Sequence, residues 1–389
     1  MSAVPAESQR VAEEVAEYDY AVALCHLPKL NPARLRWLLT VEPQPSAVWE
    51  RVVRGRLPLV RSFPDGTLRS WTRAAGALSP PELGAAYRRR GVRALVRGGA
   101  GYPHRLERDP DAPAVLFALG DLDALERPTV AIVGTRRATG YGRDVARGMG
   151  RQLAAQGVVV MSGLAVGIDL AAQRGALKYG GTPVVGVAGT GLDVVYPPEG
   201  RDVWDAIGGV GGLLVGEAPL GAPPSPWRFP QRNRIMAGLA DLVVVVESPL
   251  RGGSMLTVNE AMARGIDVMA VPGPVTSAAS AGCNRLILDG AGVACEADDV
   301  VVRLGLASRP AGVSAGKVDA EGDEGPPDPR HADVFRMVDV TPTSFDRLLG
   351  RTTMPAVELS AILYELEAEG WVGQRDGCWE RRPPPTGST

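Results

Sequence analysis

Between residues 128 and 306 six short runs rich in valine and isoleucine recur, most of them followed by a glycine-containing turn and a helix-like stretch. They are TVAIVG (129–134), VVVMSG (158–163), PVVGVAG (183–189), GLLVGE (212–217), DLVVVVES (241–248) and DVMAVPG (267–273). The intervening stretches include GRDVARGMGRQLAAQ (142–156), DLAAQRGALKY (169–179) and MLTVNEAMARG (255–265), all with amphipathic spacing. Strands that are apolar on both faces, alternating with helices, require a parallel sheet covered on both sides. The pattern predicts a doubly wound α/β domain.

The rest of the 389 residues reads differently, and the length allows two or three domains. The segment SRPAGVSAGKVDAEGDEGPPDPR (308–330) is rich in proline, glycine and acid, and cannot bury enough surface to offset its ordering entropy. It is expected to be a disordered linker. Beyond it, HADVFRMVDV, TSFDRLLGRT and MPAVELSAILYELEAEG read as three short helices, and WVGQRDGCWERR as a hairpin turning at Arg375–Gly377. That order predicts a winged-helix-like domain over 331–382. Its recognition-helix candidate carries Glu358, Glu365, Glu367 and Glu369 and no base, so protein contact suits it better than a major groove. Residues 1–84 read as a small helical domain, with a weak boundary near LSPPELG (78–84), leaving 85–307 as the core. The heart of the helical unit, LPKLNPARLRWLLTVEP, suggests a helix–hairpin–helix or sterile-alpha-motif-like arrangement. Its turn, Pro28 to Pro32, has no glycine to let amides approach phosphate, so a packing role is expected there.

Composition narrows the chemistry. Four cysteines and three histidines show no metal-binding spacing or disulfide framework, and no apolar run reaches the roughly 20 residues that span a bilayer. The acidic N-terminus lacks the order of a secretory signal, which predicts a cytoplasmic protein. The net charge of −2 hides a gradient: residues 1–110 hold 17 Lys/Arg against 11 Asp/Glu, and residues 308–389 hold 9 against 14. Only Lys29, Lys178 and Lys317 are lysine, a bias that codon composition produces as readily as phosphate binding does.

In an open parallel sheet, ligands bind outside the carboxyl ends of the strands. Here those loops are GTRRATGYG (134–142), SGLAVGID (162–169), GTGLDVVYP (189–197) and ESPLRGGS (247–254), and all contain glycine. Their amides and the following helix N-termini predict an anion site. The first loop is not GxGxxG and no GxxxxGK[ST] occurs, which disfavours a dinucleotide and an ATP-hydrolysing P-loop. No GxSxG elbow is present, and the acids Asp169, Asp193, Glu217, Glu247 and Glu260 lie on separate elements. Asp169, at a helix start, reads as a capping carboxylate. In PWRFPQRNRIMAGLADLVVVVES (226–248), Arg228, Arg232 and Arg234 interleave with Trp227 and Phe229. Guanidinium for phosphate and ring faces for unstacked bases are what a single strand needs. Core aromatics beside a solvated arginine face would give the same composition.

These motifs, VGTRRATGYG, SGLAVGID, GTGLDVVYP, FPQRNRIMAGLADLVVVVES, GGSMLT and PGPVTSAASAGCNRLILDGA, resemble in order those of the DprA/Smf (DNA-processing protein A) family over about 91–306. The resemblance implies a Rossmann-like core between the two smaller units. It also implies a homodimer that binds incoming single-stranded DNA during natural transformation, does not cut it, and loads a RecA-type recombinase. Neither a catalytic residue, a metal nor a cofactor is implied. The DNA pocket it implies comprises Gly134, Thr135 and Arg136; Ser162 and Gly163; Gly189, Thr190 and Gly191; Arg232, Asn233 and Arg234; and Gly252, Gly253 and Ser254. Departures stand out: Gln173 replaces the family's usual histidine, Gly200 an asparagine, and Gly252–Gly253–Ser254–Met255–Leu256 a usual SGSL. The alternative is a Rossmann-like nucleoside-monophosphate phosphoribohydrolase of the lysine-decarboxylase-like type. Its PGGxGTxxE loop is faintly matched by Arg251 to Glu260, without the proline or the second Gly-Thr.

Overall fold

The computed structural model describes residues 6–57, 66–209, 211–306, 328–338, 343–375 and 377–381. Five helices lead: α1 (Ala6–Cys25), α2 (Pro32–Val41), α3 (Pro45–Val53), α4 (Thr67–Ala75) and α5 (Pro80–Arg89). The central unit runs β1 (Val92–Val96), α6 (His104–Glu107), β2 (Val115–Gly120), β3 (Thr129–Val133), α7 (Gly140–Ala155), β4 (Val159–Ser162), α8 (Ile168–Tyr179) and β5 (Val184–Ala188). It continues with α9 (Arg201–Gly209), β6 (Leu213–Gly216), α10 (Arg228–Leu239), β7 (Leu242–Val245), α11 (Gly253–Ala263), β8 (Asp267–Ala270), α12 (Ala281–Leu288), β9 (Gly292–Val293) and α13 (Ala297–Arg303). Among the described residues no helix is long and apolar enough to cross a membrane.

All six apolar runs are strands of one nine-stranded sheet, ordered β1-β2-β6-β5-β4-β3-β7-β8-β9. From β6 to β9 every neighbour is parallel, whereas β1–β2 and β2–β6 are antiparallel. The fold is the expected doubly wound, Rossmann-like α/β domain with an antiparallel edge. Strands β3 to β7 are buried along their whole length, as a sheet covered on both faces requires. The chain leaves β3 toward β4 on one side and returns to β7 on the other, so the order reverses between β3 and β7.

Helices α7 and α8 meet through glycines. A Cβ on Gly150 would lie 2.2 Å from the Ala172 carbonyl oxygen, and one on Gly175 would lie 2.0 Å from that of Arg147. Only the bare backbone fits at either point.

The helical unit is not set apart from the sheet. Residue 84 lies in the middle of α5, so the expected break at 84/85 does not fall between elements. Leu24, Leu38, Trp71 and Tyr87 belong to the same buried cluster as Phe117, Ile132 and Leu153 of the core. Tyr18 Oη donates to the Val92 carbonyl at 2.7 Å, and Tyr87 Oη accepts from the Leu220 amide at 2.7 Å.

The C-terminal unit has its own core of Val334, Phe335, Leu348, Leu359, Leu363, Val372 and Trp379. It comprises α14 (Pro329–Met337), β10 (Thr343–Ser344), α15 (Phe345–Leu349), α16 (Ala356–Ala368), β11 (Val372–Arg375) and β12 (Cys378–Arg381). The three expected helices and the hairpin are present, the latter pairing Arg375 with Cys378. The expected linker gives up its last residues to α14, which Asp328 caps through the Arg330 amide. The remainder, up to residue 327, lies outside the described residues.

Candidate nucleic-acid interface

A cleft of about 670 Å³ opens at the carboxyl ends of the strands, where the strand order reverses between β3 and β7. The loop after β3 contributes Gly134, Thr135, Arg136 and Arg137 to it. The first half of α10 contributes Phe229, Arg232 and Asn233, and the start of α11 Gly253 and Ser254. A narrower recess against the same Arg136 and Arg232 takes in Gly163, Gly189, Tyr196 and Phe229. Of the fourteen residues expected at the pocket, nine line the cleft or this recess. Ser162, Thr190, Gly191, Arg234 and Gly252 line neither.

Each of those five is otherwise engaged or set back. Ser162 is fully buried and donates to the Ile132 carbonyl at 2.6 Å. Thr190 donates to the Val194 carbonyl at 2.7 Å, and the Gly191 amide to Ala222 at 3.0 Å, which shapes the loop after β5 from within. Gly252 stands at the N-cap of α11, one residue behind the cleft wall. Arg234 points away from the cleft: its Nη2 pairs with Glu217 at 2.5 Å and its Nη1 donates to the Asp111 carbonyl at 2.6 Å. Residues two apart on a helix stand roughly 200° apart. Arg232 and Arg234 therefore cannot serve one surface.

The glycine loops offer fewer free amides than their composition suggests, because the protein's own carboxylates fill them. Glu247, 2 % exposed, accepts from the Thr139 amide and the Thr139 hydroxyl, both at 2.8 Å, at the N-terminus of α7. Its backbone carbonyl takes the Thr135 amide at 2.7 Å. Asp169 likewise reaches back to the amides of Gly163 at 3.1 Å and Ala165 at 3.4 Å. It closes the preceding loop instead of capping α8, whose N-cap Gly167 has no side-chain partner. The N-termini of α8, α10 and α11 all lack a side-chain cap, and at α11 the first residues, Gly253 and Ser254, stand in the cleft wall.

The positive charge comes from side chains. Arg136 and Arg137 are exposed at the mouth. Arg232 is 6 % exposed in the floor, donates to the Val187 carbonyl at 2.6 Å, and leaves its Nε without a protein partner. Burial pushes its pKa down to about 10, with Asp169 opposing and Arg136 adding to the shift; at neutral pH it stays charged. Burial in turn raises the Asp169 pKa, against the pull of Arg232 and of the two amides. The guanidinium lies flat over Gly163, where a Cβ would come within 2.0 Å of Nη1.

Aromatic faces stand beside these charges. Arg136 lies 5.4 Å from the Phe229 ring centroid, and Phe229 in turn packs on Tyr196 at 5.5 Å. Trp227 is 48 % exposed, so the arrangement is the reverse of core aromatics under a solvated arginine face. Arg137 and Tyr196 were not singled out by sequence. Both sit in glycine-loop motifs, and that position was the available signal.

The carboxylate on which the alternative phosphoribohydrolase reading depends is engaged elsewhere. Glu260 pairs with Arg264 at 2.5 Å, and Arg264 is also held by Asp109 at 2.8 Å, away from the cleft. Gln173 is fully buried on α8 against β4 and β5, donating to the Val185 carbonyl at 3.1 Å. Its Oε1 is buried without a hydrogen-bond partner among the described residues.

Comparison with known proteins shows the family to which this chain belongs. The family model described as DNA recombination-mediator protein A matches residues 93–305, and that of the DprA winged helix domain matches 318–377. The DNA processing protein DprA of Streptococcus pneumoniae is 42% identical over 207 residues, covering 52% of this chain and 71% of the relative. The protein Smf of Escherichia coli is 35% identical over 283 residues, covering 72% and 75%. The crystal structure of the pneumococcal DprA superimposes with a TM-score of 0.60 at 30% identity, over 74% of this chain and 97% of the other. The protein belongs to the DNA recombination-mediator protein A (DprA/Smf) family.

Proposed function

We propose that the cleft binds single-stranded DNA without cutting it. The observation that carries this reading is the convergence of Arg136, Arg137 and Arg232 with the ring faces of Phe229 and Tyr196 at the point where the strand order reverses. Guanidinium groups neutralise the phosphates, the uncapped start of α11 adds backbone donors, and the rings stack bases whatever their identity. The narrow recess suits a strand whose bases are splayed, not a duplex.

Affinity is expected to fall steeply with salt, by about 0.7 in log K per log salt for each phosphate neutralised on a single strand. Arg136→Ala should weaken binding to all sequences alike and reduce that slope by about one contact's worth. Fluorescence anisotropy of labelled oligonucleotides across a salt series reads both quantities. Unchanged affinity and slope would defeat the assignment.

In this reading the bound strand is presented to a RecA-type recombinase in the cytoplasm, in keeping with the mediator role in the family's name. Faster recombinase filament growth on that strand is the readout. The working unit is a homodimer built on the β9 edge, where Leu288 is 75% and Val293 44% exposed and the strand pairs only with β8 among the described residues. Leu288→Glu is expected to shift sedimentation from dimer to monomer.

A further inference from the structure

We propose that Trp227 seats a nucleobase of the bound strand at a second site, between the start of α10 and the 28–32 turn of the helical unit. The proposal rests on the reading of the cleft as a single-strand channel and extends the path of that strand.

Trp227 is the most exposed of the described tryptophans; the others are buried or half-buried. Arg228 lies 5.2 Å from the Trp227 ring centroid and is itself anchored by donating to the Pro223 carbonyl at 2.8 Å. An anchored cation beside an exposed indole is the arrangement that holds a ring in place for stacking. Behind the indole is a pocket of about 60 Å³, lined by Leu30, Asn31 and Pro32 from the helical unit and by Gln231, Arg232 and Ile235 from α10. That volume takes the edge of a base and not a whole one, so the ring itself would rest on Trp227 with one edge turned inward.

The pocket is continuous with the channel. Arg232 lines the cleft, the recess and this pocket, and Gly189 lines the recess and the pocket. A strand leaving Phe229 toward the helical unit therefore meets Trp227 next. The opposing wall is preformed. Trp71 Nε1 donates to the Pro28 carbonyl at 2.8 Å, Arg34 to the Lys29 carbonyl at 3.0 Å, and Asn31 Oδ1 accepts the Arg34 amide at 2.9 Å. These bonds hold Lys29, the neighbour of the pocket-lining Leu30, in the left-handed region at φ 58 with its side chain exposed. A glycine-free turn is no obstacle here, because the contact is made by side chains and not by amides.

The test compares thymidine monophosphate, too short to span both seats, with an oligothymidylate of about 20 nucleotides on the full chain. Trp227→Ala is expected to weaken binding of the oligothymidylate about 5- to 100-fold, the range for losing one stacked base, and to leave the monophosphate within about threefold. Trp227→Phe should keep most of the affinity while abolishing the tryptophan-fluorescence quench on binding. Arg136→Ala should weaken both ligands. If Arg136→Ala weakens binding while Trp227→Ala leaves the oligothymidylate unaffected, the second seat is overturned and the cleft stands. If Arg136→Ala changes neither, the channel reading fails first.

Discussion

Arg234→Ala is expected to cost about 3–5 kcal/mol of folding stability, because it strips the partner from a buried carboxylate. Arg234 and Glu217 are 8% and 12% exposed at the side chain, and the same guanidinium holds the Asp111 carbonyl that Arg36 also grips at 2.9 Å. Burial already raises the Glu217 pKa, with Arg234 opposing it. Without Arg234 that pKa rises further. A carboxyl whose folded pKa lies above its unfolded value loses stability as pH climbs between the two. The deficit should therefore be smallest in mild acid and grow toward neutral pH. Urea unfolding at several pH values measures it, and the double change Arg234→Met with Glu217→Gln should recover most of the loss. A variant that keeps wild-type stability but loses DNA affinity would return Arg234 to the cleft.

Gly150→Val should cost about 3 kcal/mol or more, at the high end for overpacking, since the added atoms meet the α8 backbone and not a mobile side chain. Gly175→Val should do the same from the other helix. Helices α7 and α8 also follow the loops that carry Arg136 and Gly163, so forcing them apart moves one wall of the cleft against the other. Denaturation midpoints and strand affinity should fall together. Stability within about 1 kcal/mol of the parent would show that the helices can separate without strain.

The central strands were legible because a strand buried on both faces must be apolar throughout, and five such runs stood out beside a sixth, β8, that is buried only at its end. Strands β1 and β2 escaped because they pair antiparallel at the edge, outside the strand–helix alternation, and β9 because it is only two residues long. Arg136 and Arg232 could be placed from motif position alone. Arg234 was grouped with Arg232 because no helix was read over its stretch, and only the observed α10, Arg228–Leu239, turns positions two apart to different sides. What no local pattern contained was the filling of the amide nests. Glu247 closes a loop 108 residues before it, a contact that exists only once β3 and β7 lie side by side.

Tyr87 is hydrogen-bonded to His26 at 2.9 Å and to the Leu220 amide, so one phenol ties α1's end to the segment that leads into the cleft wall. A truncation at residue 91 would remove that phenol together with Leu24, Leu38 and Trp71, and strip one flank of the sheet. The first ninety residues are thus not a bead on a string. Swapping them for a relative's would graft a foreign hinge pin into a doorframe cut for another, and the hybrid would be expected to hang loose at residues 219–221.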